Sequence, residues 1–251
     1  MRSDGRSADE LRPLEFQTDF TEQPLGSVFC SMGRTRVLCT VSEEAAVPRW
    51  LRGSGRGWLT AEYSMLPGAT DTRTDREASR GKLSGRTMEI QRLIGRSLRA
   101  VVALEHLGER TLWVDCDVLQ ADGGTRTASI SGAFVALSLA LARLDRSGAF
   151  AAPVLRDQVA AISVGVVDGE PVLDLPYVED AGAEVDMNVV ATGSGRFVEV
   201  QGTGEDGTFD RSELDRLLDL ALGGISTIAA RQKAAVESAG FKLARLLPPD
   251  A

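Results

Sequence analysis

Three short stretches carry residue types that could do chemistry together. The first is Asp122-Gly123-Gly124-Thr125-Arg126-Thr127, set between a strand-like run and a strongly apolar helical run. Its glycines permit backbone conformations closed to other residues. The helix N-terminus beyond them presents free N–H groups and the positive end of a dipole. Thr125 adds a hydroxyl, and Arg126 adds a guanidinium able to grip an anion with two parallel donors. Together they make an oxyanion pocket suited to phosphate. The alternative is a tight turn whose Thr caps the helix. The Gly-Lys-Ser/Thr ending of a Walker A loop is missing.

The second stretch, Ser84-Gly85-Arg86-Thr87-Met88-Glu89, opens another helix. A cation there opposes the helix dipole, so Arg86 either projects away as a solvated charge or serves an anion bound at that end. The third stretch is acidic and holds Asp174, Glu179, Asp180, Glu184 and Asp186. Asp180 and Asp186 lie six positions apart, at the end of a loop and the start of a strand. Converging carboxylates repel unless a proton or a divalent cation sits between them. An oxygen-only site suits Mg²⁺ or Mn²⁺; the alternative is a set of solvated loop charges.

Composition narrows the chemistry further. The chain of 251 residues contains one histidine, His106, so Ser-His-Asp and Cys-His catalysis and a histidine-rich metal site are set aside. His106 reads as a structural residue near a helix C-terminus, where a cation is welcome. The three cysteines, Cys30, Cys39 and Cys116, form no CxxC pair; reduced thiols and a cytoplasmic location are expected. No secretory signal and no apolar run of about 18 residues is seen, so no membrane span is expected. The net charge of −8 is unevenly spread. Residues 49–99 hold eleven Lys/Arg against five Asp/Glu, whereas residues 165–219 hold fourteen acidic residues against three basic. Either the basic stretch receives a polyanion, or the two stretches face each other across a domain or subunit contact.

The elements that must position these groups follow from periodicity. Residues 25–42 read as a hairpin around Met32-Gly33-Arg34, and residues 57–63 as a short strand. Residues 67–82 read as a long, mobile, basic loop, and a helix runs from Ser84 to Gly108. A strand over 111–119 leads into the glycine turn, and the apolar helix covers about 128–144. Hairpins turn at Asp168-Gly169 and Gly193-Ser194-Gly195, and two helices, about 211–222 and 225–239, end the chain. Helices mixed with antiparallel hairpins argue for an α+β fold, read as one domain over 1–251.

The three stretches occur together, in this order, in one family. The sequence closely resembles the bacterial ribonuclease PH family, phosphate-dependent 3′→5′ exoribonucleases that trim tRNA precursors. The resemblance rests on Gly57-Trp58-Leu59-Thr60-Ala61-Glu62-Tyr63, Gly85-Arg86-Thr87-Met88-Glu89-Ile90-Gln91-Arg92, Asp115-Cys116-Asp117-Val118-Leu119-Gln120-Ala121-Asp122-Gly123-Gly124-Thr125-Arg126 and Glu184-Val185-Asp186-Met187-Asn188. It implies a two-layer α+β domain with mixed sheets and packed helices, and a homohexamer built as a trimer of dimers. It implies a phosphate site at Arg86, Gly124, Thr125 and Arg126, with inorganic phosphate as co-substrate. It implies catalysis by Asp180 and Asp186, through a divalent metal (Mg²⁺ or Mn²⁺), and RNA contact by Arg73, Arg76 and Arg80. Some members carry a basic residue just after the loop proline; here it is Gly68, and Asp71 and Asp75 dilute the loop's charge. A catalytically silent RNA-binding ring subunit, as in exosome complexes, is the alternative. Such subunits lose the phosphate arginines or the acidic pair, and this chain has both.

Overall fold

In a computed structural model that describes residues 2–205 and 207–249, alternating apolar and polar residues lay down two sheets. The first contains β1 (Leu14–Thr18), β2 (Gly26–Met32), β3 (Thr35–Glu44), β4 (Trp58–Met65) and β5 (Thr111–Gln120), in the order β1-β2-β3-β5-β4. Its neighbours are antiparallel except β4 and β5, which are parallel. Parallel strands need a crossover, supplied here by α1 (Gly85–Val101) and the short α2 (Leu104–Leu107). The second sheet, β7-β6-β8-β9, is antiparallel throughout. Its strands are β6 (Val159–Val167), β7 (Glu170–Leu173), β8 (Val185–Thr192) and β9 (Phe197–Gly204), and one turn of helix, α4 (Tyr177–Asp180), precedes β8.

Helix α3 (Thr125–Arg146) lies between the sheets, packing on β2 and β3 on one side and on β6 on the other. It is long and apolar enough to cross a membrane, yet nearly all its residues are buried within the protein, as expected of a helix that is apolar all round. Small residues let it approach the first sheet closely. A Cβ built on Gly132 would stand 2.8 Å from Cys30 Cβ and 2.9 Å from Cys39 Sγ. Gly132→Val should therefore cost about 1–3 kcal/mol through overpacking, read as a lower denaturant midpoint with an unchanged slope. One contiguous hydrophobic core runs through both sheets and the helices, and the arrangement is α+β.

The structure departs from the local expectations at four places. β1 was not expected, although Leu14-Glu15-Phe16-Gln17-Thr18 alternates; pairing with β2 makes it a strand. The helix opened by Ser84 stops at Val101 rather than Gly108, because Val102 turns extended to bridge Leu155 and Ala103 N donates to Val154 O. The apolar helix begins at Thr125, three residues early, with Gly124 as its left-handed N-cap. The final two helices are one, α5 (Arg211–Ser238), opened by an Asp210–Glu213 capping box. Gly224 lies within it, where a Cβ would stand 2.8 Å from Leu173 Cδ1.

Candidate active site

The Asp122-Gly123-Gly124 turn is held from several sides, and this fixes the N-terminus of α3. Gly123 and Gly124 both have positive φ (71° and 65°). A Cβ on Gly123 would strike Leu175 O at 2.5 Å and Tyr177 N at 2.8 Å, so only glycine fits. Thr35 Oγ donates to Gly123 O (2.7 Å) and accepts from Asp122 N (2.9 Å). Arg12 Nη1 donates to Asp122 O. Thr125 and Arg126 thereby occupy the first two positions of α3, where backbone N–H groups lack intrahelical acceptors. Thr125 is buried and accepts from Tyr63 Oη at 3.0 Å. The Arg126 guanidinium donates to Gln201 on β9 and stands 3.6 Å from Glu89 on α1.

Ser84 caps α1, its hydroxyl accepting from Thr87 N at 3.1 Å. That cap sets Arg86 in the first turn, exposed and lining a cavity of about 600 Å³. Arg76, Glu62, Asp115 and Asp117 line the same cavity. Burial raises the Asp115 and Asp117 carboxyls; the charge of Glu62 adds to both effects, while Arg76 opposes the rise at Asp117.

Asp180 ends α4, and Asp186 is the second residue of β8. Burial raises Asp180, and Arg86, Arg126 and, more weakly, Arg12 pull it back down. Burial, then the charge of Asp180, push Asp186 up to about 6, with Arg126 opposing. The two carboxyls lie within hydrogen-bonding reach of each other once one carries a proton. Asp186 Oδ1 is buried without a hydrogen-bond partner, which is costly unless a proton or cation is bound there. Among the described residues, no three His, Cys, Asp or Glu groups converge on a metal position. Mg²⁺, however, usually takes one or two carboxylates and completes its shell with water and substrate phosphate, and the donor set of Asp180 and Asp186 fits that habit.

The structure thus brings Arg86, Arg126, Asp180 and Asp186 into one electrostatic neighbourhood, with Gly124 and Thr125 at its base. The basic and acidic stretches meet here: Arg86 acts on Asp180, and Arg96 pairs with Glu199 at 2.9 Å. Arg73 is exposed and pairs with Asp75 at 3.2 Å. The Arg80 side chain lies outside the described residues. Residues 67–82 form no strand, only a 3-10 turn over Glu77–Arg80. His106 stands apart, its Nδ1 2.7 Å from Pro153 O. Arg12, Thr35, Tyr63 and Gln201 were not singled out from the sequence; their roles come from contacts 62 to 110 positions away.

Two family models cover most of the chain: domain 1 of the 3′ exoribonuclease family over residues 10–142 and domain 2 over residues 157–224. Ribonuclease PH of Bacillus velezensis is 61% identical over 234 residues, which are 93% of this chain and 96% of that protein. Ribonuclease PH of Mycobacterium avium is 61% identical over 94% of this chain and 92% of its own length. Among solved structures, rice Rrp46 superposes with a TM-score of 0.77 at 19% identity, covering 94% of this chain and all of that one. A chain of the Archaeoglobus fulgidus exosome with RNA bound to the active site gives 0.74 at 22%, with 92% of each chain covered. Those two likenesses concern the fold; at 61% identity along nearly the whole length, the chain belongs to the ribonuclease PH family of 3′ exoribonucleases.

Proposed function

We propose that the site assembled from Arg86, Thr125, Arg126, Asp180 and Asp186 carries out phosphorolysis at RNA 3′ ends. The observation that carries this assignment is the meeting of an anion-binding helix N-terminus and two arginines with a carboxylate pair whose Asp186 Oδ1 is buried and unpaired. Inorganic phosphate is already an anion at neutral pH and needs no histidine to activate it. It attacks the terminal phosphodiester in line. The bond to the 3′ oxygen breaks, that oxygen takes a proton, and a nucleoside diphosphate leaves. The reverse reaction adds a nucleotide. The difficulty is bringing two anions together, and Arg86, Arg126 and the α3 amides supply fixed positive charge for it. A divalent cation, Mg²⁺ or Mn²⁺, held by Asp180 and Asp186 would neutralise charge at the scissile phosphate or leaving oxygen.

The RNAs we assign are tRNA precursors and other RNA 3′ ends, handled in the cytoplasm by a homohexamer arranged as a trimer of dimers, each chain acting as a single folding unit. Incubation of a tRNA bearing extra 3′ nucleotides, with and without phosphate, tests the reaction. Diphosphates appearing only with phosphate support it, whereas monophosphates without phosphate would mean hydrolysis.

The loop over 67–82 is assigned to grip. Arg73 and Arg76 are exposed on irregular backbone, which can follow a phosphate chain without reading bases. Replacing both by Ala should weaken tRNA binding and flatten its salt dependence by about two charges' worth of slope. Phosphorolysis of a very short RNA should change much less. Equal loss on both substrates would show that the loop shapes the active site instead.

A further inference from the structure

The N-terminal segment carries three arginines that the chemistry above does not use, and all converge on the loop leading to Asp180. Arg2 donates to Leu173 O (2.7 Å) and Asp174 O (2.9 Å) and pairs with Glu179 at 2.7 Å. Arg6 Nη2 donates to Asp174 O at 2.9 Å. Arg12 reaches further. Its backbone N–H donates to Asp174 Oδ2 (2.8 Å), its Nε to the same oxygen (3.1 Å) and its Nη2 to Oδ1 (2.7 Å), while its Nη1 donates to Asp122 O.

Both members are buried, Arg12 at 4% exposure and Asp174 at 0%. Asp174 also holds a φ of 57°, a left-handed conformation that persists only when the surroundings over-determine it. One guanidinium thus joins two pieces of chain 52 positions apart: the turn that opens α3 and the loop that runs through Leu175 and Pro176 into α4 and Asp180. A second tie runs alongside, Tyr177 N donating to Asp122 Oδ1 at 3.4 Å.

We infer that Arg12 and Asp174 are a positioning pair for the reaction, locking the phosphate-binding turn and the Asp180 loop into one rigid piece. The inference rests on the phosphorolytic reading above. Phosphorolysis needs the attacking phosphate, held at α3, and the scissile phosphate, near the carboxylates, at a fixed separation. A misplacement of about 1 Å can cost about a hundredfold in rate. The planar five-donor fork of arginine can serve a carboxylate and a carbonyl at once, which a lysine ammonium on its flexible stem cannot reproduce. Neither residue touches the reacting atoms.

Two variants and one measurement on the unaltered protein test the pair. Arg12→Lys keeps the charge but loses the fork. Arg12→Gln with Asp174→Asn replaces the ion pair by a neutral one, and Asn tolerates the left-handed backbone. In the folded variants the KM for phosphate should rise about tenfold or more, and kcat should fall, while the KM for a short RNA stays within about twofold. Melting temperatures that fall while the phosphate KM stays within about twofold of wild type would overturn the assignment, since a purely structural pair predicts that pattern.

The measurement on the unaltered enzyme is amide hydrogen exchange with and without inorganic phosphate. The Arg12 amide donates to Asp174 and lies outside the phosphate site, so it should exchange more slowly when phosphate binds. Exchange unchanged at saturating phosphate would overturn the inference even if the variants failed to fold. Absence of diphosphate products from the wild type would instead defeat the phosphorolytic reading, separately from the coupling.

Discussion

Asp186→Asn is expected to lower phosphorolysis by about a hundredfold or more, the scale seen when one preorganised electrostatic group is removed from an active site. Asp180→Asn should do the same. The loss should come without unfolding. Asp186 sits in β8 with one oxygen unpaired, and burial together with Asp180 raises its carboxyl to about 6. A carboxyl whose folded-state pKa is raised contributes no penalty below the unfolded carboxylate range; the penalty grows as pH rises and is full above about 6. A neutral Asn removes that penalty, so in metal-free buffer near pH 7.5 the variant should melt at or above the wild-type temperature. RNA binding should survive or tighten, since negative charge near the substrate is gone. Near-normal turnover of both variants at saturating metal would place the catalytic pair elsewhere.

Arg126→Ala should raise the phosphate requirement and cut turnover with the fold intact. Arg126 stands at the second position of α3, its guanidinium held between Gln201 and Glu89. Losing a charge-assisted contact to phosphate costs roughly 1.5–3 kcal/mol, or about ten- to 150-fold in rate. Arg126→Lys should recover only part of it, because lysine keeps the charge without the fork. Rates measured at low and at saturating phosphate decide the matter. Unchanged kinetics at low phosphate would sink the assignment.

Much of the molecule was legible in the chain because it depends on short-range signals. Alternation announced β5, the hairpin signal at Met32-Gly33-Arg34 announced β2 and β3, and Asp168-Gly169 and Gly193-Ser194-Gly195 announced the turns of the second sheet. Glycines before an apolar run announced a helix start, and the six-position spacing of Asp180 and Asp186 placed both near one loop. That neighbouring chemistry, together with family resemblance, was enough to name the reaction. Other features required tertiary contacts. The end of α1 at Val101 follows from Val102 bridging Leu155, a pairing that helical periodicity cannot register. α5 runs unbroken through Gly223-Gly224 while packing on β6 and β7, and Gly224 lets Leu173 approach closely. Arg12 reads locally as one charge in an N-terminal stretch where Arg2, Arg6 and Arg12 are matched by Asp4, Asp9 and Glu10. Only the fold buries it beside Asp174 and turns its guanidinium on Asp122, 110 positions away. Periodicity, caps and turns are properties of a few consecutive residues, so the chain itself determined the elements and the residue types at their ends. Burial and the pairing of distant charges depend on which surfaces meet, and the tertiary structure alone decided those.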